Sequence, residues 1–136
     1  MMACQEFKLQ VLTREHSGFT EITAEVNRIL REKRWTQGLV HLFVMHTTCG
    51  LTINENADPD VLKDLNGRLE ESFPWSRGAD LHGEGNSAAH LKSSLFGPSL
   101  SIPVHQNGLV LGRWQGVYLC EFDGPRTRQV YLTFLN

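Results

Sequence analysis

From Ser99 to its C-terminus this chain reads as one strand after another. The segments "SLSIPV", "GLVLGRWQ", "GVYLCEF" and "RQVYLTFL" are strand-like, and "HQNG" and "DGP" supply turns between them. Such an end rules out an all-helical fold and predicts a β-meander. One position breaks the pattern. Alternation in "GVYLCEF" sets Glu121 on the face shared by Val117 and Leu119, so a carboxylate stands where an apolar side chain belongs. Either that face is open to water or the acid has a task.

The earlier part of the chain mixes strands with helices. "FKLQVLT" alternates Phe7, Leu9 and Val11 against polar neighbours, as a half-buried strand does. "TEITAEVNRILREKR" gathers Ile22, Val26, Ile29 and Leu30 on one helical face, with Thr20 as the expected N-cap and Glu21 in the first turn. Leu39 to His46 reads as a buried strand, Val40, Leu42, Val44 and His46 facing one way and His41, Phe43 and Met45 the other. In "DPDVLKDLNGRLEESFP", Asp58 caps a helix, Pro59 takes its first position, and Val61, Leu62, Leu65 and Leu69 form its apolar stripe. Asn86 or Ser87 caps a third, short helix that carries His90 and stops at Gly97 and Pro98. The fold class is therefore α+β, a mixed or antiparallel sheet with about three helices. The 136 residues make a single domain, 1–136, with residues 1–6 expected as a flexible N-terminus.

Charge narrows the partners. A formal net charge of −2 gives no broad basic field, so neither nucleic acid nor an acidic membrane is expected, and an anionic partner needs a local site. "GLVHLFVM" is too short to span a bilayer, and no signal-like apolar segment follows Met1. Cys4, Cys49 and Cys120 form an odd set without CxxC spacing, which points to a reducing cytoplasm. Cys49 reads as a buried, inert thiol.

The stretch "LHGEGNSAAH" concentrates chemistry. Histidine binds metals and moves protons near neutral pH, so His46, His82 and His90 are joint candidates. Spacing alone favours the plain roles of core, loop and helix-surface residue for them, because His82 and His90 are eight apart across a turn. "GEGN" before a helix offers Gly83, Gly85 and Asn86 as a backbone cradle for phosphate, or an ordinary turn. Glu55, Asp58, Asp60 and Asp64 suit Mg²⁺, although capping explains Asp58 and Asp60 as well. Arg126 and Arg128 in "DGPRTR" are guanidinium forks able to hold phosphate, or plain surface charges.

Three blocks, "HTTCGLTINENADPDVLKDL", "HGEGNSAAHLKSSLFGPSLSIPV" and "GLVLGRWQGVYLCEFDGPRTRQV", together resemble the YjbQ-like family, small proteins also described as secondary thiamine-phosphate synthases. The resemblance runs from about Phe7 to the C-terminus and rests on His46-Thr47-Thr48, Asn54-Glu55, Asp58-Pro59, Glu84-Gly85, His90, Gly112, Trp114-Gln115 and Gly124-Pro125-Arg126. The segment "PWSRGADL" before His82 is where family members vary, so His46 and His90 are the firmest pair.

The resemblance implies a YjbQ-like fold assembled as a homotrimer, with a polar pocket for a metal or an anion. It implies an enzyme that joins an aminopyrimidine pyrophosphate to a thiazole phosphate. On that basis His46, His90, Glu84, Glu121 and Gln115 are the expected catalytic groups. Gly83, Gly85, Asn86, Arg126, Thr47, Thr48 and Glu55 are the expected contacts to a phosphorylated metabolite. His46, His82 and His90 are the expected ligands of a divalent zinc, manganese or magnesium ion, and no organic cofactor is expected. Metal-assisted hydrolysis of a phosphate ester, or plain binding of an anionic metabolite or metal, would use the same groups.

Overall fold

A computed structural model describes residues 3–136. Its elements are β1 (Cys4–Leu12), β2 (Gly18–Glu21), α1 (Thr23–Glu32), β3 (Gln37–Val44), β4 (Cys49–Glu55), α2 (Pro59–Ser72), α3 (Ser87–Phe96), β5 (Ser99–His105), β6 (Gly108–Leu109), β7 (Gln115–Glu121) and β8 (Thr127–Leu135). The strands form two sheets, a larger one ordered β1-β8-β3-β5-β6 and a smaller one ordered β2-β7-β4, every pair antiparallel. The α+β class and the three helices are as expected.

Alternation packs the sandwich. Val40, Leu42 and Val44 of β3, Val130, Leu132 and Phe134 of β8, and Ile102 and Val104 of β5 turn inward against Leu51, Val117 and Leu119 of the small sheet. Ile22, Val26, Ile29 and Leu30 of the α1 segment join the same core, so their predicted face is the buried one. The outer face of the small sheet is covered in its turn. Cys120 and Phe122 pack with Ala89 of α3, and with Leu69 and Trp75 from α2 and the segment after it. Helix α3 crosses β4 at Gly50, where a Cβ would stand 2.9 Å from the Gly97 carbonyl oxygen. The small sheet is thus buried on both faces, which is why Gly116 through Phe122 are all shielded.

Several expectations need correction. Thr20 and Glu21 do not start α1; they belong to β2, which pairs with β7, and Ile22 is the N-cap residue without a side-chain cap. The strand through "GLVLGRWQ" shrinks to Gly108–Leu109, residues 110–114 are a loop, and Gln115 opens β7. The C-terminal strands are not one meander, since β7 lies in the small sheet and β8 returns to the large one. Residues 4–6 of the supposed flexible end pair with Leu135, Phe134 and Thr133; residues 1 and 2 lie outside the described residues. Helix α2 begins as predicted, with Pro59 in the first turn and the Asp58 carboxylate accepting the Asp60 N–H at 2.9 Å. Helix α3 ends at Gly97, whose φ of +88° suits glycine.

Candidate functional site

The ends of β1, β3, β7 and the starts of β4 and β8 meet at one end of the sandwich, and most candidate residues lie there. At its centre Glu121 of β7 faces Arg128 of β8, so the pair spans the two sheets inside the protein. Arg128 Nε donates to Glu121 Oε1 at 2.8 Å and Nη2 to Oε2. Glu121 also accepts the Thr13 hydroxyl at 2.6 Å and the N–H groups of Phe122 and Asp123 at 3.1 and 3.0 Å. Burial alone would raise this carboxyl, but the hydrogen bonds from Arg128, Thr13 and Asp123 outweigh it and hold it below the usual range. With its lone pairs occupied, Glu121 has no capacity left as a general base. Arg128 Nη2 also donates to the Thr48 carbonyl and hydroxyl at 3.1 and 2.9 Å, which holds the guanidinium against the entrance of β4.

His46 lies two residues beyond β3 rather than within it, half-buried in the turn that leads to β4. Its Nε2 accepts the Gln129 N–H at 2.9 Å, which fixes the neutral tautomer with the proton on Nδ1. Burial lowers its pKa; the Arg128 and Arg126 charges lower it further, against an opposing effect of Glu121. His46 is therefore a neutral imidazole in a cationic surrounding.

Arg126 is half-exposed and steered by Asp123, to whose carbonyl Nε donates at 2.7 Å and to whose carboxylate Nη2 donates at 3.0 Å. Nη1 faces no protein acceptor among the described residues. Asp123 also accepts Asn86 Nδ2 at 2.9 Å and so ties the start of α3 to this end of the sandwich. Asn86 occupies the N-cap position but, contrary to expectation, its side chain caps nothing.

The "GEGN" segment is a turn. Gly85 N–H donates to the His82 carbonyl at 3.0 Å, and Gly85 sits at φ +71°. This turn folds His82 back onto α3, where its ring meets that of His90 edge to face with centroids 5.5 Å apart. Glu84 and Gly83 are exposed on its outside, and a Cβ at Gly83 would meet nothing within 4 Å.

Two predicted members are elsewhere. Gln115 and Glu55 pair at the far end of β7 and β4, six strand residues from the Glu121 and Cys49 rung, about 20 Å at 3.3 Å per residue. There Gln115 Oε1 accepts the Gly112 N–H and Glu55 Oε2 accepts the Asp58 N–H at the entrance of α2. Neither joins His46 within one chain. Thr47 is exposed beside His46, whereas Thr48 is a buried support for Arg128. Sequence reasoning does not find Thr13 or Asp123: nothing in "VLTRE" marks Thr13, and the "DGP" turn signal explains Asp123 without a partner.

A divalent ion held by His46, His82 and His90 does not fit this geometry. No group of three His, Cys, Asp or Glu side chains able to hold a metal forms among the described residues, and His46 Nε2 is engaged by Gln129. Cys49 is inert as read, burial pushing its thiol up to about 11.

With this geometry established, comparison with known proteins adds kinship. The family model described as UPF0047 protein YjbQ-like matches residues 7–136. The chain is 49% identical to UPF0047 protein YugU of Bacillus subtilis (strain 168) over 94% of its own length and 97% of that protein's. It is 36% identical to UPF0047 protein YjbQ of Escherichia coli O157:H7, covering 84% and 85% of the two chains. A crystal structure of a conserved hypothetical protein from Thermus thermophilus is similar with a TM-score of 0.87 at 52% identity, covering 93% and 97% of the two chains. That of a YbjQ-like protein from Sulfolobus solfataricus reaches 0.91 at 28% identity, covering 100% and 99%.

Proposed function

This chain belongs to the YjbQ-like UPF0047 family, and we propose that it is an enzyme acting on a small phosphorylated metabolite at the His46 end of its sandwich. One observation carries the reading. A neutral imidazole stands beside two guanidinium groups, one locked inside and one held half-exposed by Asp123 with an edge to spare. Arg126 is the phosphate anchor, since its Nε and Nη2 are fixed by Asp123 while Nη1 stays available. His46 donates through Nδ1–H, its tautomer set by Gln129. The exposed turn at Gly83 leaves room for substrate to approach the backbone.

The reaction that the resemblance implies is transfer of an aminopyrimidine methyl carbon from pyrophosphate to a thiazole phosphate. The bond between the rings forms as the bond to oxygen breaks, and pyrophosphate leaves with the electron pair. A cationic, oriented Arg126 would stabilise the charge that develops on that leaving group. Homotrimeric assembly is part of the proposal, supported by Leu39 and Phe43, which β3 leaves exposed, and by the exposed Met45 just beyond its end. A cytoplasmic setting is part of it too, in keeping with free Cys49 and Cys120 in the interior. No helix among the described residues is long and apolar enough to cross a membrane.

The test is release of pyrophosphate from the aminopyrimidine pyrophosphate, with and without the thiazole phosphate. Release that needs both substrates and falls at least tenfold in Arg126→Ala supports transfer. Release that ignores the thiazole phosphate makes the protein a hydrolase instead. Absence of release, with no binding of either substrate, overturns the reading.

A further inference from the structure

We propose that His82, His90 and the side-chain carbonyl of Asn86 form a binding site for one divalent first-row metal ion of the zinc type. The inference extends the reading above by moving the metal away from His46, and its own support is separate.

Asn86 is 5% exposed, and its Oδ1 is buried without a hydrogen-bond donor, the one buried side-chain polar atom so placed among the described residues. Protein interiors leave few such atoms unpartnered, because the lost hydration is not recovered. Nδ2 is committed to the Asp123 carboxylate, which makes the other amide atom the acceptor. That oxygen calls for a donor or a cation.

The imidazoles nearby match the second possibility. His90 follows Asn86 by one helical turn and shares its face of α3. The turn closed by the Gly85 N–H brings His82 onto His90 at 5.5 Å between centroids and 86° between planes. Two imidazoles on one tetrahedral zinc ion, each bound at about 2.0–2.1 Å, have centroids roughly 5 Å apart and planes free to cross. The rings of His41 and His46 are hydrogen-bonded, to Ser101 and Gln129. Those of His82 and His90 make no hydrogen bond among the described residues. The Asn86 to Asp123 contact supplies the outer support that holds a ligand in place.

Two nitrogens and one neutral oxygen favour zinc, cobalt or manganese over magnesium, which prefers an all-oxygen shell with several waters. A three-ligand set leaves one position open. The tether through Asp123 to Arg126 places that position at the same end of the sandwich as the proposed phosphate anchor.

The experiment is titration of the chelator-stripped full chain with zinc by calorimetry, and with cobalt(II) by visible absorption, in the absence of any substrate. One ion per chain is expected, with affinity reduced at least tenfold in His82→Ala, His90→Ala and Asn86→Ala. His46→Ala should bind as the parent does. His82 is exposed, so its variant reports on the site even if Asn86→Ala does not fold. Lack of saturable binding, or binding indifferent to His82 and His90, overturns the proposal. So does binding lost in His46→Ala alone. Because metal is measured without substrate, the pyrophosphate assay and this titration fail independently.

Discussion

Arg128, carried on the large sheet, closes on the Glu121 carboxylate carried on the small one, and both side chains are almost wholly buried. This pair fastens the two sheets at the end where the candidate residues gather. It also explains the polar position that interrupts the apolar alternation of β7.

Removing one partner leaves the other as an unpaired buried charge. Glu121→Ala should cost about 3–5 kcal/mol, and Arg128→Met about as much, whereas the double variant Glu121→Leu with Arg128→Met should recover much of the loss. Urea unfolding of the three proteins measures this. Equal losses that simply add would mean the pair is not coupled.

The same carboxyl makes the fold acid-sensitive. Its native pKa lies below the unfolded value, so its stabilisation is complete above the ordinary carboxylate value near 4.5 and is lost as pH falls through the depressed native one. The slope of stability against pH over that window should flatten in Glu121→Gln.

His46 acts in the same direction at higher pH. Its native pKa is lowered from 6.5, so the stabilisation of its neutral form is complete above that value and declines as pH falls through the native one. Its ring nitrogens should report a proton on Nδ1 at pH 7 by NMR, and its titration midpoint should lie below 6.5. A proton found on Nε2 would contradict the Gln129 hydrogen bond.

The cysteines should separate by burial. Cys4 is exposed, whereas Cys49, with its thiol raised to about 11, and Cys120 are buried. Ellman titration at pH 8 should show one fast thiol per native chain and all three after denaturation. A fast second thiol would indicate that α3 lifts off β4.

The two glycines of the turn should behave differently. Gly85→Ala must adopt φ +71° and should destabilise by about 1 kcal/mol while loosening the His82 to His90 contact. Gly83→Ala meets open space and should change stability by less than about 0.5 kcal/mol. Thermal melting distinguishes them.

Local chemistry is legible without coordinates. The buried faces of α1 and β3, the strand character of β8, the Asp58 and Pro59 start of α2, the Gly97 stop of α3 and the misplaced Glu121 all follow from spacing and residue type. These depend on neighbours within a turn or a strand, where periodicity and capping act. Thr20 reads as a cap because a short edge strand and a helix start share the same polar signals, and only pairing with β7 separates them.

Assignment of strands to sheets lies beyond such signals. Alternation tells which side of a strand is buried, not which sheet the strand joins. The chain alone therefore could not show that β7 and β8 part company, that Glu121 would find Arg128 across the gap, or that Gln115 and Glu55 would lie at the opposite end. Sequence determined the three helices, most of the strands, the buried faces of α1 and β3 and the one acid that needed a partner, because those are local and periodic. Tertiary structure decided the partner, the grouping of His82 with His90 and the separation of the remaining candidates, because these are long-range pairings set by how two sheets close over a shared core.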